Sequence, residues 1–238
     1  MKQITITHLY PRELNIYGDR GNIITLKKRL LWRHYEVKVD AVHPGHRYDF
    51  TKSDIIFGGG GQDKGQEIVA DDLQAKKNEL MAATNDGVVM LGICGTYQLF
   101  GHRFVTLEAK EIPGIGIFQA ETIGSKKRMI GNAVITSDFG TLVGFENHSG
   151  KTNLFKGQES LGKVLKGYGN NGSSGFEGAI MNNSFGTYLH GPLLPKNPRF
   201  ADELLHRALS RKYGKVELEP LNDSLEHHAA RVARSRPR

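Results

Sequence analysis

The run Val88-Val89-Met90-Leu91-Gly92-Ile93-Cys94-Gly95-Thr96-Tyr97-Gln98 holds the only cysteine of the chain. Its apolar half, bounded by glycines, reads as a buried parallel strand. Thr96 offers an N-cap oxygen for a helix that begins at Tyr97 and Gln98. Cys94 therefore falls on a strand-to-helix turn, where Gly92 and Gly95 supply backbone freedom and clear space for a substrate. The N–H groups and positive dipole end of the helix face the sulfur and favour thiolate over thiol. This is the pattern of a nucleophile elbow, with sulfur in place of a serine hydroxyl. The competing reading is an inert core cysteine. It fits less well, because Cys94 sits at the junction and not at an apolar position within the strand.

The segments on either side extend the pattern. Gln3 to Tyr10 alternates as a strand, and a turn-rich loop follows from Pro11 to Asn22. Leu26, Leu30 and Leu31 then keep helical spacing up to Trp32, with Lys27, Lys28 and Arg29 on the outer face. Tyr35–Val42 and Ser53–Phe57 are strands, the latter running into Gly58-Gly59-Gly60-Gly61, and a helix is expected from about Gln66 to Asn85. Strands alternating with helices predict right-handed crossovers and a mostly parallel sheet covered on both faces, a three-layer α/β fold. In such sheets the active site lies at the carboxyl edge, where both the glycine run and Cys94 fall. Beyond Pro113 the pattern changes to short strands (Ala133–Thr136, Thr141–Phe145), a glycine- and asparagine-rich loop (167–175), and a strand Phe185–Leu189 ending in His190-Gly191-Pro192. An amphipathic helix from Phe200 to about Lys212 closes a single domain spanning 1–215. Residues 216–238 lack an apolar face and are expected to be an unstructured tail outside the domain.

The bulk composition excludes several classes. The 238 residues carry a net charge of +7, of which +3 lies in the stretch Ser224–Arg238. The rest is ordinary for this size, and no basic–aromatic interleaving suggests a nucleic-acid platform. No apolar run approaches the roughly 18–20 residues of a membrane span. The N-terminus lacks a signal-peptide profile, and one cysteine permits no internal disulfide, so the expected compartment is the reducing cytoplasm.

A cysteine nucleophile needs a proton carrier. Among ten histidines, His190 closes a strand at the same edge as Cys94. His148, in a polar loop, is expected to shape the pocket, while His102, His206, His227 and His228 read as solvated. No histidine pair has metal-ligand spacing, so no catalytic metal is expected. The tetraglycine lacks the Gly-Lys-Ser/Thr of a phosphate loop. Beside a cysteine elbow it reads as an oxyanion hole, with Gly59, Gly60 and Gly95 as the candidate donors.

Taken together, Gly92–Gln98, Gly58–Asp63 and Tyr188–Pro192 resemble the class I glutamine amidotransferases of the cobyric acid synthase-like branch. Leu14–Asn22 and Gly144–Thr152 narrow the resemblance to the GatD family, the glutaminase subunits of lipid II isoglutaminyl synthases. It extends to about residue 215 and implies a flavodoxin-like class I glutaminase fold. It also implies that Cys94 attacks the side-chain amide of L-glutamine and that His190 protonates the departing ammonia. Lys127–Asn132 matches the family's substrate-binding segment, which makes Arg128 the clamp for the α-carboxylate, and Gln98 is a candidate to line the pocket. The implied partner is a MurT-like Mur-ligase subunit forming a heterodimer. It would hold ATP, magnesium and lipid II at the inner membrane face and amidate the D-glutamate of the stem peptide, so that this chain needs no cofactor.

One position departs from the wider class. Many of its members carry a glutamate two residues after the histidine, and here Pro192 stands in that place. The site then works as a dyad, or Glu146, Glu177 or a carboxylate of the partner orients His190. The partner is the favoured source, since completing the triad across an interface would couple hydrolysis to demand. Asp19 and Asn22 read as loop architecture. Two rival functions remain: a glutaminase serving another acceptor, such as a corrinoid carboxylate, and a non-catalytic binding module of the same fold.

Overall fold

A computed structural model describes residues 2–236. The chain opens with β1 (Gln3–Leu9), α1 (Arg20–Leu31), β2 (Glu36–Val42), β3 (Ile55–Gly58), α2 (Asp63–Ala75), α3 (Lys77–Asn85), β4 (Val89–Ile93) and the short α4 (Gly95–Leu99). It then builds β5 (Arg103–Val105), β6 (Glu111–Pro113), β7 (Ala120–Ser137), β8 (Gly140–Leu154), β9 (Gly162–Lys166) and β10 (Phe176–Glu177). It finishes with β11 (Ala179–Met181), β12 (Ser184–Thr187), α5 (Pro198–Tyr213) and α6 (Ser224–Ser235).

The first sheet has the order β11-β12-β4-β3-β1-β2 and is parallel except for the edge strand β11. Ile55, Ile56, Phe57, Val89, Met90, Leu91 and Ile93 are wholly buried, which explains their continuous rather than alternating apolar pattern. The chain passes from β1 to β2 in one direction and from β3 to β4 in the other. Right-handed crossovers therefore put α1 on one face and α2–α3 on the opposite face. The crevice of such a sheet opens at the carboxyl ends of β1 and β3, where the direction reverses.

The second sheet was not legible as a sheet. It runs β10-β9-β7-β5-β6, with β8 against β7, and most of its pairings are antiparallel. The two short strands expected at 133–136 and 141–145 are the inner parts of one long hairpin, β7–β8. Its polar outer stretches hide the strand period. The register of that hairpin shifts between the Gly124–Gly150 and Met129–His148 pairs.

Three further expectations are corrected. The helix expected from Gln66 to Asn85 begins at Asp63 and divides at Lys76, whose ammonium grips both Asp72 oxygens at 2.6 Å. Arg29, expected on the outer face of α1, is only 1% exposed. It pairs with Asp202 of α5 at 2.7 Å and with Asp223, just before α6, at 2.6 Å. Arg33 reaches Asp202 and the Glu219 carbonyl, each at 2.7 Å. These bonds order the segment expected to be an unstructured tail, and 224–235 is helical. Its last two residues, 237 and 238, lie outside the described residues.

Candidate active site

Cys94 sits between β4 and α4 with φ 49° and ψ −102°, a strained conformation for a residue with a side chain. The strain is held from three sides. The Cys94 N–H donates to the Thr187 carbonyl at 2.8 Å, its carbonyl accepts from Gln98 at 2.9 Å, and Thr96 bonds the glycine loop. Thr96 was expected to cap the helix; instead its hydroxyl donates to the Gly59 carbonyl at 2.7 Å, and Cys94 occupies the cap position. A Cβ on Gly95 would stand 2.8 Å from the Gly61 nitrogen, so only glycine allows the loop and the elbow to meet. The helix after the elbow is five residues long, which limits its dipole.

His190 lies just beyond β12, pinned by paired backbone bonds to Phe145 of β8 at 2.8 and 3.1 Å. Its ring is fully buried. Among the described residues Nε2 has no hydrogen-bonding partner, and Nδ1 lies 3.2 Å from Oδ1 of Asp19, also fully buried. Burial opposes charge on this imidazole, but the nearby Cys94 sulfur and the Asp19 carboxylate outweigh it and push its pKa up to about 10.

The carboxylate beside His190 is therefore Asp19, a residue read from the sequence as loop architecture. Glu146 is spent on the Tyr168 and Gly169 N–H groups, and Glu177 accepts from the Thr187 hydroxyl and the Tyr188 N–H at 2.7 Å each. Neither bonds His190. The sequence signal for Asp19 was weak, since an Asp between Gly18 and Arg20 in a turn-rich loop is ordinary.

The other Asp19 oxygen, Oδ2, accepts from the Gly60 N–H at 2.7 Å. That bond removes Gly60 from the oxyanion donors expected from the sequence and narrows the candidates to Gly95 and the neighbouring loop. Gln98 is 5% exposed and committed at both ends: its oxygen accepts from Gln66 at 2.8 Å and its amide donates to the Tyr188 hydroxyl at 3.0 Å. It braces the floor of the elbow. His148 stacks on Tyr188 with ring centroids 3.5 Å apart, and burial lowers its pKa to about 4, so it stands uncharged.

Arg128 lies within the register shift of β7, between Gly124 and Met129, an irregularity of the kind that re-aims side chains beside active sites. Its guanidinium donates to Asn147 at 2.6 Å and to the Tyr17 hydroxyl at 3.1 Å, and the Tyr17 ring meets His190 edge-on at 5.0 Å. Arg128 thus stands one residue away from His190. Tyr17, at φ 54°, was missed in the sequence for the same reason as Asp19.

Comparison with known proteins supplies the family. Residues 5–198 match the CobB/CobQ-like glutamine amidotransferase domain. The chain is 40% identical to the GatD subunit of lipid II isoglutaminyl synthase (glutamine-hydrolyzing) of Staphylococcus aureus, over 98% of this chain and 95% of the relative. It is 42% identical to the corresponding subunit of Streptococcus pneumoniae, over 96% and 89%. A crystal structure of a glutamine amidotransferase superposes with a TM-score of 0.58 at 14% identity, covering 85% of this chain and 98% of the other, which supports the fold alone. The chain belongs to the CobB/CobQ-like glutamine amidotransferase family, and within it resembles the GatD subunits over nearly its whole length.

Proposed function

We propose that this chain hydrolyses L-glutamine through a Cys94 thioester and delivers the ammonia to a MurT-like ATP-dependent ligase that amidates the D-glutamate of lipid II. The observation that carries the chemistry is the buried Cys94–His190 pair at the carboxyl edge of the parallel sheet, with Nε2 of His190 left without a hydrogen-bonding partner among the described residues. The lipid II acceptor rests on near-full-length similarity to two GatD subunits.

In this mechanism Arg128 exchanges its neutral acceptors for the α-carboxylate of glutamine, a stronger, charge-assisted partner. The Cys94 thiolate attacks the side-chain carbonyl carbon, forming a C–S bond and a tetrahedral oxyanion that N–H groups of Gly95 and the adjoining loop stabilise. The C–N bond then breaks as Nε2 of His190 gives its proton to the leaving nitrogen, which departs as ammonia. The neutral imidazole next takes a proton from water. The resulting hydroxide adds to the thioester and the C–S bond breaks, releasing glutamate and the thiolate.

Nucleotide and magnesium are assigned to the partner, since the only glycine run here lacks the Lys and Ser/Thr of a phosphate loop. The reaction belongs in the cytoplasm, at the membrane face that presents lipid II. No helix among the described residues is long and apolar enough to cross a membrane. The test is ammonia release from L-glutamine by the chain alone and with a MurT-like partner, followed by amidation of lipid II by the pair with ATP. Ammonia release without lipid II amidation would keep the glutaminase and remove the acceptor. Absence of both, with the partner folded and bound, would favour a binding module.

A further inference from the structure

We infer that the cavity between α6 and the domain is an anion site for a phosphate or diphosphate group, held by Lys196 on one side and by His228 and Arg236 on the other. This inference goes beyond the glutaminase reading and is independent of it.

The site follows from how α6 is held. None of its residues is buried. Its entry is fixed by Asp223, which pairs with Arg29 at 2.6 Å, and its end by the Arg236 carbonyl, which accepts from the Lys166 ammonium. Between these ties a cavity of about 450 Å³ opens under the helix. Its walls include Asn132 and Phe145 of the β7–β8 hairpin, Gly191 and Lys196 of the loop after His190, His228 of α6, and Arg236 at the helix end.

The charge in this cavity is one-sided. Three of the lining side chains are basic, and no Asp or Glu lines it among the described residues. The Lys196 ammonium donates to the Gly191 and Pro192 carbonyls at 2.6 and 2.8 Å, which leaves one of its three N–H donors. Burial pulls its pKa down, and no carboxylate acts to offset that. The Arg236 guanidinium and the His228 ring make no ion pair among the described residues. Nearby acids are engaged elsewhere or distant. Asp202 and Asp223 are held by Arg29 and Arg33, and Glu146, beside Phe145, accepts from the Tyr168 and Gly169 N–H groups. Glu226, the one acid of α6, precedes Arg236 by ten residues, about 15 Å along the axis.

Cations that share a cavity without a carboxylate repel one another, and a bound anion relieves that repulsion. The planar fork of Arg236 and the free ammonium donor of Lys196 suit phosphate oxygens, and a dianion offers acceptors to both sides at once. A monoanion such as chloride leaves part of the charge unmatched. Because the donors come from the helix and from the domain, the anion also ties α6 down where its own packing is thin.

The test measures diphosphate binding to the full chain by titration calorimetry at fixed ionic strength, with chloride as the reference salt. The expected dissociation constant is about 10⁻⁴–10⁻³ M, and Lys196→Met and Arg236→Gln should each weaken it about tenfold or more. Lys52→Gln, at a lysine paired with Asp49 before β3, should bind like the wild type. Arg236 ends an exposed helix, so its replacement keeps the fold even if Lys196→Met does not. In saturating diphosphate, amide exchange across 224–235 should slow about threefold or more in the wild type and stay unchanged in Arg236→Gln.

Vesicles separate the sources of the phosphate. If a lipid headgroup is the ligand, phosphatidic acid vesicles sediment the wild type, phosphatidylcholine vesicles do not, and diphosphate releases the protein. If the ligand is soluble, diphosphate binds and neither vesicle does. Equal binding by the wild type and Arg236→Gln would overturn the inference. So would a wild type that takes up neither phosphatidic acid vesicles nor diphosphate at up to about 10 mM.

Discussion

The two sheets carry different parts of the site in different ways. The parallel sheet places Cys94 and the glycine loop at strand ends, positions set by backbone geometry and almost independent of side-chain detail. The antiparallel sheet contributes Arg128 and His148 from the middle of a long hairpin, where a register shift decides what they face. His190 belongs to the seam: it lies just beyond the parallel strand β12 and pairs with Phe145 of β8. Thus the groups proposed to react ride on the parallel layer, and the groups proposed to hold the substrate ride on the layer packed against it.

The strongest way to break this division is Cys94→Ala. Turnover of glutamine is expected to fall by about 10³-fold or more, with the melting temperature changed by the equivalent of about 1 kcal/mol or less, since the residue is small and already beside glycines. Ammonia release that survives the substitution would mean that the elbow is architecture and that the chemistry lies elsewhere.

Next in size is the seam itself. Glu177 of β10 accepts from Thr187 and Tyr188 at the end of β12, tying the second sheet to the first through a wholly buried carboxyl. Burial pushes its pKa up to about 7 from 4.5, more than its hydrogen bonds to Thr187 and Tyr188 lower it. The folded protein therefore prefers the protonated acid. Its contribution to stability is fully present below pH 4.5, declines as the pH rises towards 7, and is flat above that. The decline amounts to about 3 kcal/mol at most. Thermal melts of the wild type at pH 5 and pH 8 should differ by more than those of Glu177→Gln. Equal differences would show that the sheets are not joined through this ionisation.

The same contrast explains what was legible. The parallel half follows from short-range patterns: an unbroken apolar run, a glycine turn and a helical repeat each specify local structure, and the topology rules specify the edge at which they meet. Cys94 and His190 are candidates read from those patterns, and Arg128 a candidate read from resemblance. The contact of Asp19 with His190 was not legible, because it spans 171 positions, and the neighbours Gly18, Arg20 and Gly21 read as a turn. Gly60 was misassigned for the same reason: which atom its N–H faces is decided by Asp19. The tail was misread because Arg29 looks solvated in a helical repeat of lysines until Asp202 and Asp223 are brought to it from α5 and beyond.

The smallest effect separates the layers most sharply. Arg128 is exposed, and its acceptors are neutral: the Asn147 oxygen and the Tyr17 hydroxyl. Neither exchange nor desolvation is costly for such a group, so an arriving carboxylate displaces them readily. Arg128→Lys keeps the charge but loses the planar fork that grips both oxygens, and is expected to raise KM for glutamine about tenfold, near 1.4 kcal/mol, with kcat changed less than about twofold. A KM effect alone means that the contact is equally strong before and during the reaction, as expected of a clamp held by the outer sheet. A matching fall in kcat would mean that the Arg128–Tyr17–His190 chain of contacts reaches the transition state. The hairpin would then share in the chemistry that the parallel sheet is here proposed to carry alone.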